Sequence, residues 1–395
     1  MPNSPKTPFL FFLSGEHLPI DEKSQRWSDF LPEDRHMTPG GRYNVSYGDY
    51  FSSARLYLEK NQCGVICRVI SKRRGVATTV SDIGDIRIFL KKHGEFYHPA
   101  RVEAHVQGKV YPFVLNAAFS DAGRARAQRE CRVISEMNAG PFPGFLPEIY
   151  DLGEIKKNGA EDLISPCLFF TGEWFDGYSE LHLSHDSDDN VLKLVVWDED
   201  GAPFFLSPSQ ELAFYEQAAF ILSCFYDMET FDQIFPWHHA AGDFIIKCGD
   251  HGVDVKLITA RQRGAMFGVE DPDADSMMEG ALLFLLNMSV RMRLDRIDGI
   301  GETAWAGDSA VVGALRGFIK ALAGKKSPPA ISISLDRCFR EFILTRSRED
   351  MADMTMSIVE SCHLDAPDMP VIKKNIDAHI TALFDLTRHL DGHGA

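Results

Sequence analysis

Residues 101–140 read RVEAHVQGKVYPFVLNAAFSDAGRARAQRECRVISEMNAG, which packs two strand signals and one helix signal into a single short stretch. The β-rich runs 101–106 and 110–119 are joined by Gln107-Gly108-Lys109, a glycine-containing turn that predicts an antiparallel hairpin. The residues after it place Ala125, Cys131, Ile134 and Met137 at helical spacing, with Ser120 or Asp121 as cap and Gly140 as stop. FLPEIYDLGEI from Phe145 and SPCLFFTGEWF from Ser165 read as two further strands, separated by the polar loop KKNGAED. The expectation is a small antiparallel sheet with one inserted helix.

Upstream, residues 1–48 are rich in Pro, Gly, Asp and Ser and predict a surface wrap with few regular elements. A helix is expected over 50–60, a strand in CGVICRVI from Cys63, and a short helix in DIGDIRIFLKKHG from Asp82, closed by Gly94. After Gly177 the character changes. VLKLVVWDEDGAPFFL predicts a hairpin turning over 198–201, and a long helix follows, opened by the capping box Ser207/Gln210 with Pro208 at its first position. FIIKC, the turn GDHG and VDVKLIT predict a strand, turn, strand unit. Helices are expected over 275–296, 308–323, 335–347, 351–362 and 371–390, and no internal repeat is present.

The chain of 395 residues is too long for one ordinary core and suits two lobes or domains. Its 41 basic and 57 acidic side chains leave a net charge of −16, which works against tight binding to nucleic acid. The eight cysteines form no CxxC pair and no zinc or disulfide spacing, so reduced thiols are expected. The apolar run at residues 9–13 is too brief for a signal segment, and ALLFLLNMSV from Ala281 is too short to span a membrane. A cytoplasmic protein without membrane contact is expected, and a protein partner and the oligomeric state are left open.

A β-rich half with one inserted helix, a short connector and a larger helical half resembles the protein-kinase-like superfamily, most closely its aminoglycoside and choline phosphotransferase branch. FVLNAAF, RARAQRECRVISEM, FLPEIYDLGEI and CLFFTGEWFDGYSELHL are similar to the family's third strand, helix C, fourth strand, and fifth strand with hinge. FPWHHAAGDFIIKCGDHGVDVKLITA, residues 235–260, lies where the family keeps its catalytic loop. The resemblance covers residues 101–323 and rests on element order and spacing more than on identical motif residues. It implies an α+β, two-lobed protein-kinase-like fold. An N-terminal extension over 1–84 would pack on the lobes, a small antiparallel-sheet N-lobe with one inserted helix would span 85–176, and a mainly helical C-lobe would span 177–395. A nucleotide cleft would lie between the lobes, with ATP and Mg²⁺ as implied cofactors.

Phosphoryl transfer needs a cation on the nucleotide phosphates, two metal-binding side chains, a base for the acceptor hydroxyl, and a hinge for the nucleotide base. On the family pattern the strand lysine falls on Asn116, with Lys109 or Arg124 as substitute cations from shifted positions, and Lys109, Arg124 or Arg261 as the cation that could enter the cleft beside Asp243. Glu130 stands as the helix C acid, or alternatively as a solvent-facing member of a charged helix. Glu173, Trp174 and Phe175, with Asp176, would form the hinge. Gly94 is a lone glycine and reads as a helix stop, not as part of a phosphate loop.

The catalytic loop threads in two registers. One makes Asp243 the base and puts Cys248 at the metal-binding asparagine, but it breaks the strand FIIKC. The other, preferred here, makes Asp243 a metal ligand and His238 the base. In both, the second metal-binding aspartate is replaced by Thr259. Asn116 and Thr259 are neutral where the pattern has charge, and each lost electrostatic contribution is typically worth several kcal/mol. The expectation is therefore a nucleotide- or metabolite-binding pseudokinase. The alternative is an active ATP-dependent phosphotransferase acting on a small-molecule hydroxyl.

Plainer readings stand beside these. His238 and His239 suit a hydrogen-bonded turn, Asp243 could cap the turn before FIIKC, and Asp254, Lys256 and Arg261 fit the wet face of a half-buried strand. His238, His239, Asp243 and His251 could instead hold zinc, iron or manganese in a hydrolase, although such a loose pattern arises by chance. The acidic run EDPDADSMMEG lacks EF-hand spacing and reads as a helix N-terminus, while GIG at 299–301 reads as a loop.

Overall fold

The computed structural model describes residues 7–32, 44–91, 93–94, 96–155, 166–198, 201–237, 243–249, 252–361 and 366–389. The chain is mixed α+β and divides into two compact units, Met1–Glu136 with Pro147–Asp176, and Met137–Leu146 with Gly177–Ala395.

The first unit is built on a six-stranded sheet in the order β1-β2-β3-β4-β6-β5. Its strands are β1 (Phe9–Leu13), β2 (Ile83–Leu90), β3 (His98–Val106), β4 (Lys109–Ala118), β5 (Ile149–Ile155) and β6 (Cys167–Glu173). All neighbours are antiparallel except β1 and β2. The β3–β4 hairpin turns on Gln107 and Gly108, both left-handed with φ of 50° and 77°, the backbone that matches strand twist in a two-residue turn. Helix α3 (Asp121–Asn138) is inserted between β4 and β5.

Three expectations for the opening segment are corrected. Phe9–Leu13, assigned to a surface wrap, is a strand of the sheet. CGVICRVI is helical, because its apolar residues continue at helix spacing: α2 (Lys60–Arg74) buries Cys63, Ile66, Val69 and Ile70 and stops at Gly75, with φ of 68°. DIGDIRIFL is a strand, because Ile86, Ile88 and Leu90 alternate with half-buried residues against β3. Short apolar runs carry both periods, and length alone does not separate them.

Helix α1 (Tyr47–Leu58) starts at a capping box between Ser46 and Asp49. With α2 it covers one face of the sheet, where Tyr50, Phe51, Ala54, Ile66 and Ile70 join Ile86, Ile88, Val102, Ala104, Phe113 and Leu115 in one core. Each of the larger apolar side chains among them contributes on the order of 1.5–3 kcal/mol. Residues 1–84 thus contribute a strand and both covering helices to this unit. On the opposite face Ala127 and Cys131 of α3 pack on Ala118, Leu168 and Phe170.

The second unit opens with a three-stranded sheet, β7 (Glu180–His185), β8 (Leu192–Trp197) and β9 (Phe204–Phe205). The expected 198–201 turn includes residues 199–200, outside the described residues, as is the loop KKNGAED. Helix α4 (Pro208–Phe225) carries the expected Ser207/Gln210 capping box. Next come β10 (Asp232–Ile234), β11 (Phe244–Gly249), β12 (Gly252–Leu257) and β13 (Arg263–Ala265), where β10 pairs with β13 and β11 with β12. Helix α5 (Ala274–Arg291) is capped by Asp273, whose carboxylate accepts from the Ser276 backbone, so the acidic run does serve a helix N-terminus.

Helix α5 ends five residues before its expected limit of 296, and β14 (Leu294–Arg296) pairs with β15 (Thr303–Trp305). The break turns Arg293 inward, where it donates to Ala306 O, His379 and Asp308. Helices α6 (Ser309–Gly324), α7 (Leu335–Leu344), α8 (Arg348–Ser361) and α9 (Met369–Arg388) complete the unit. Helices α4 and α6 cross closely at Gly313 and Gly317: a Cβ on Gly317 would stand 2.1 Å from the Glu216 carbonyl oxygen. Among the described residues no helix is long and apolar enough to cross a membrane.

Candidate functional site

Each unit carries part of the candidate set. In the second unit, β11 and β12 pair from Phe244↔Leu257 to Gly249↔Gly252, the two strands expected after Asp243, while turn residues 250–251 lie outside the described residues. Cys248 sits within this ladder opposite Val253, so the strand that the other register would break is intact. Asp243 immediately precedes β11 and is 1% exposed. Its backbone carbonyl accepts from Ile258 N at 2.8 Å, so the start of one strand is pinned to the end of the other.

Arg261 donates both terminal nitrogens to the Asp243 carboxylate, at 2.5 and 2.6 Å, and reaches Pro236 O at 3.4 Å. Arg261 is therefore not a wet-face residue: its side chain is 20% exposed and serves as the counter-charge of a buried acid. Thr259, two residues before it, has a buried hydroxyl with no hydrogen-bond partner among the described atoms. One carboxylate with both oxygens already bridged by a guanidinium, beside one neutral hydroxyl, does not fit Mg²⁺, which favours charged oxygen ligands in octahedral geometry. His238, His239 and His251 lie outside the described residues. Among the described residues no group of three or more His, Cys, Asp or Glu is placed to hold a metal ion. Asp254 is wet, with its side chain 56% exposed and accepting from Tyr178, whereas Lys256 is 18% exposed and donates to Gly144 O.

In the first unit Asn116 lies on β4, 8% exposed, opposite Pro99 on β3 and Phe170 on β6. Neither proposed substitute cation is shown on it. Lys109 pairs with Val106 at the hairpin end of β4, seven residues away, or roughly 23 Å along an extended strand. Arg124 is held locally by Phe119 O, Pro166 O and Asp121.

Glu130 is 2% exposed, which rules out the solvent-facing alternative. It accepts a hydrogen bond from the Tyr97 hydroxyl, and the neighbouring Cys131 thiol is pushed up to about 12 by burial and then by Glu130. Tyr97 belongs to the β2–β3 loop, where Gly94 N donates to Tyr97 O, so Gly94 closes a loop and stops no helix. The same loop places Phe96 under Arg126 of α3, at 4.5 Å, and His93 Nδ1 2.9 Å from His98 Nδ1.

At the expected hinge, Glu173 exchanges backbone and side-chain hydrogen bonds with Glu148. Phe175 is half-buried, and Trp174 lies beneath the guanidinium of Arg101, 5.3 Å from its ring centroid. Tyr97 and Arg101 were missed as partners, whereas Arg261 is the one of the three candidate cations that stands beside Asp243. For Arg101 a signal existed, since R-V-E-A-H alternates and sends Arg101, Glu103 and His105 to one face of β3. A cavity of about 440 Å³ in this unit is lined by Lys60, Arg68 and Asp151 among others, and by none of the candidate residues. The chain matches no known family and no curated protein.

Proposed function

We propose that the chain is a kinase-like protein with degenerate catalytic motifs, which binds a nucleotide or another small metabolite without transferring phosphate. The observation that carries this reading is Arg261 on both oxygens of Asp243. Phosphoryl transfer depends on metal ions and cations gathered around the transferring group. Here the acid in the metal-ligand position is neutralised by the protein itself, Thr259 supplies no charge, and Glu130 is engaged by Tyr97 where the resemblance asks for a strand lysine.

Element order supports the kinase-like part. The run β2-β3-β4-β6-β5 with α3 inserted between β4 and β5 has the sequence of strands and helix on which the resemblance rests. The β11–β12 pair follows Asp243 as the preferred register requires. A two-lobed arrangement of these parts belongs to the same reading.

The test is a thermal-shift screen of nucleotides and phosphorylated metabolites, with Mg²⁺ and with EDTA, run beside an ADP-release measurement. A bound ligand raises the melting temperature by mass action. The expected outcome is a shift that EDTA leaves intact and no ADP above the buffer control. ADP release that requires Mg²⁺ and is lost in Asp243→Ala would show the protein to be a working phosphotransferase.

A further inference from the structure

On the α3 side of the first unit's sheet, Phe12, Phe89, Arg101, Val114 and Gly172 form one cross-strand row on β1, β2, β3, β4 and β6. Side chains of a row share a face, at roughly 4.8 Å per strand. Gly172 leaves the β6 end of this row without a side chain, and Trp174 follows two residues later. The Arg101 guanidinium reaches the Trp174 ring. It lies 5.3 Å from the Trp174 ring centroid, its Nε is 3.0 Å from Glu103 Oε1, and one terminal nitrogen is 3.8 Å from Asp176 Oδ1. Arg101 is 21% exposed and Asp176 74% exposed, so the stack sits at the protein surface and has solvent to open into.

We infer that Arg101 is a gate on the Trp174 surface and determines which ligands the hinge segment accepts. The inference rests on the reading of Glu173 to Asp176 as that hinge. A guanidinium and a planar heteroaromatic ring of the nucleobase class compete for the same face of an indole, because both bind it through their flat faces. Arg101 holds that face from within the chain, with the Glu103 and Asp176 carboxylates within 4 Å of its guanidinium. A flat ligand therefore binds only the fraction of molecules in which Arg101 has swung away, and its apparent affinity falls by that fraction. Uncharged rings are penalised most, since they offer the displaced guanidinium no new partner. A ligand that also carries phosphate or carboxylate gives Arg101 an anion to follow.

The experiment compares adenosine and ATP binding by calorimetry in the wild type, Arg101→Gln, and Arg101→Gln with Trp174→Ala. The gate requires adenosine to bind Arg101→Gln at least fivefold more tightly than wild type, with the gain cancelled by Trp174→Ala. Wild type that binds adenosine or ATP, with Arg101→Gln binding no better, overturns the gate and leaves the kinase-like reading standing. Absence of binding in every protein overturns both. A second readout needs no ligand: acrylamide quenching of Trp174 emission, isolated by subtracting the Trp174→Phe protein, must rise in Arg101→Gln. Unchanged quenching overturns the gate whatever the affinities. If Arg101→Gln does not fold, Arg101→Lys keeps both ion pairs while losing the planar stack, and must move both readouts in the same direction.

Discussion

Arg261 and Asp243 form a two-pronged ion pair that ties the end of the β12 segment to the start of β11, with the acid 1% exposed and the arginine side chain 20% exposed. A buried pair of this kind is weak evidence of net stabilisation, because both ions leave water, but losing one partner strands the other. Asp243→Ala and Arg261→Ala should each cost about 3–5 kcal/mol in urea denaturation. The double variant should cost clearly less than the sum. Additive losses would mean that the two groups are not coupled in solution.

Tyr97 and Glu130 link the β2–β3 loop to α3 in the first unit. Tyr97→Phe removes one donor from a carboxylate that is 2% exposed, and a loss of about 1–3 kcal/mol is expected. Adding Glu130→Gln should recover part of it, since a neutral amide costs less to leave under-bonded than a charge. Measured by equilibrium unfolding, a Tyr97→Phe protein as stable as wild type would show that the hydroxyl contributes nothing.

How much of this was legible in the sequence follows from where each signal lies. The β3–β4 hairpin, α3 and the β11–β12 pair were readable because turn chemistry, caps and periodicity agreed over a few consecutive residues. CGVICRVI and DIGDIRIFL were read the wrong way round because runs this short and apolar fit either period, and only their packing partners decide. Asp243 was singled out through spacing, and Arg261, eighteen residues on, was one of three cations weighed beside it, but nothing short of the fold shows which side chain converges on it. The same is true of Tyr97 and Glu130, thirty-three residues apart.

Helices α4 and α6 meet where Gly313 and Gly317 bring one backbone against the other. Gly317→Ala would set a methyl 2.1 Å from the Glu216 carbonyl oxygen and 2.7 Å from Phe220 N, so the backbone must move. A loss of about 1–3 kcal/mol is expected from such overpacking, despite the better helix propensity of alanine. Gly324→Ala, whose Cβ would meet nothing within 4 Å, is the control and should be close to neutral. Equal effects in the two variants, read from urea midpoints, would remove close packing as the cause.

Two buried histidines contribute to the response to acid. His98 is pulled down to about 3 by burial and then by His93, whose own value is lowered by burial; their Nδ1 atoms share one hydrogen bond, Tyr50 and Phe119 flank the His98 ring. His379 is also pulled down to about 3, by burial and then by Arg293, with Asp308 opposing. Its Nδ1 accepts from Arg293 Nε at 3.0 Å, and its Nε2 lies 3.0 Å from Ser289 Oγ, whose own hydroxyl donates to Leu286 O. The imidazole is thereby fixed as the neutral Nε2–H form, and a proton arriving at Nδ1 would face a guanidinium. Both groups titrate lower in the folded chain than in the unfolded one, which takes up protons from about 6.5 downward. The stabilisation is thus full above pH 6.5 and is lost progressively as pH falls from 6.5 toward 3. Unfolding free energies measured between pH 8 and pH 4 should decline with a slope that His379→Gln and His98→Gln each reduce by up to one proton. A slope left unchanged by both substitutions would place the acid sensitivity on other groups.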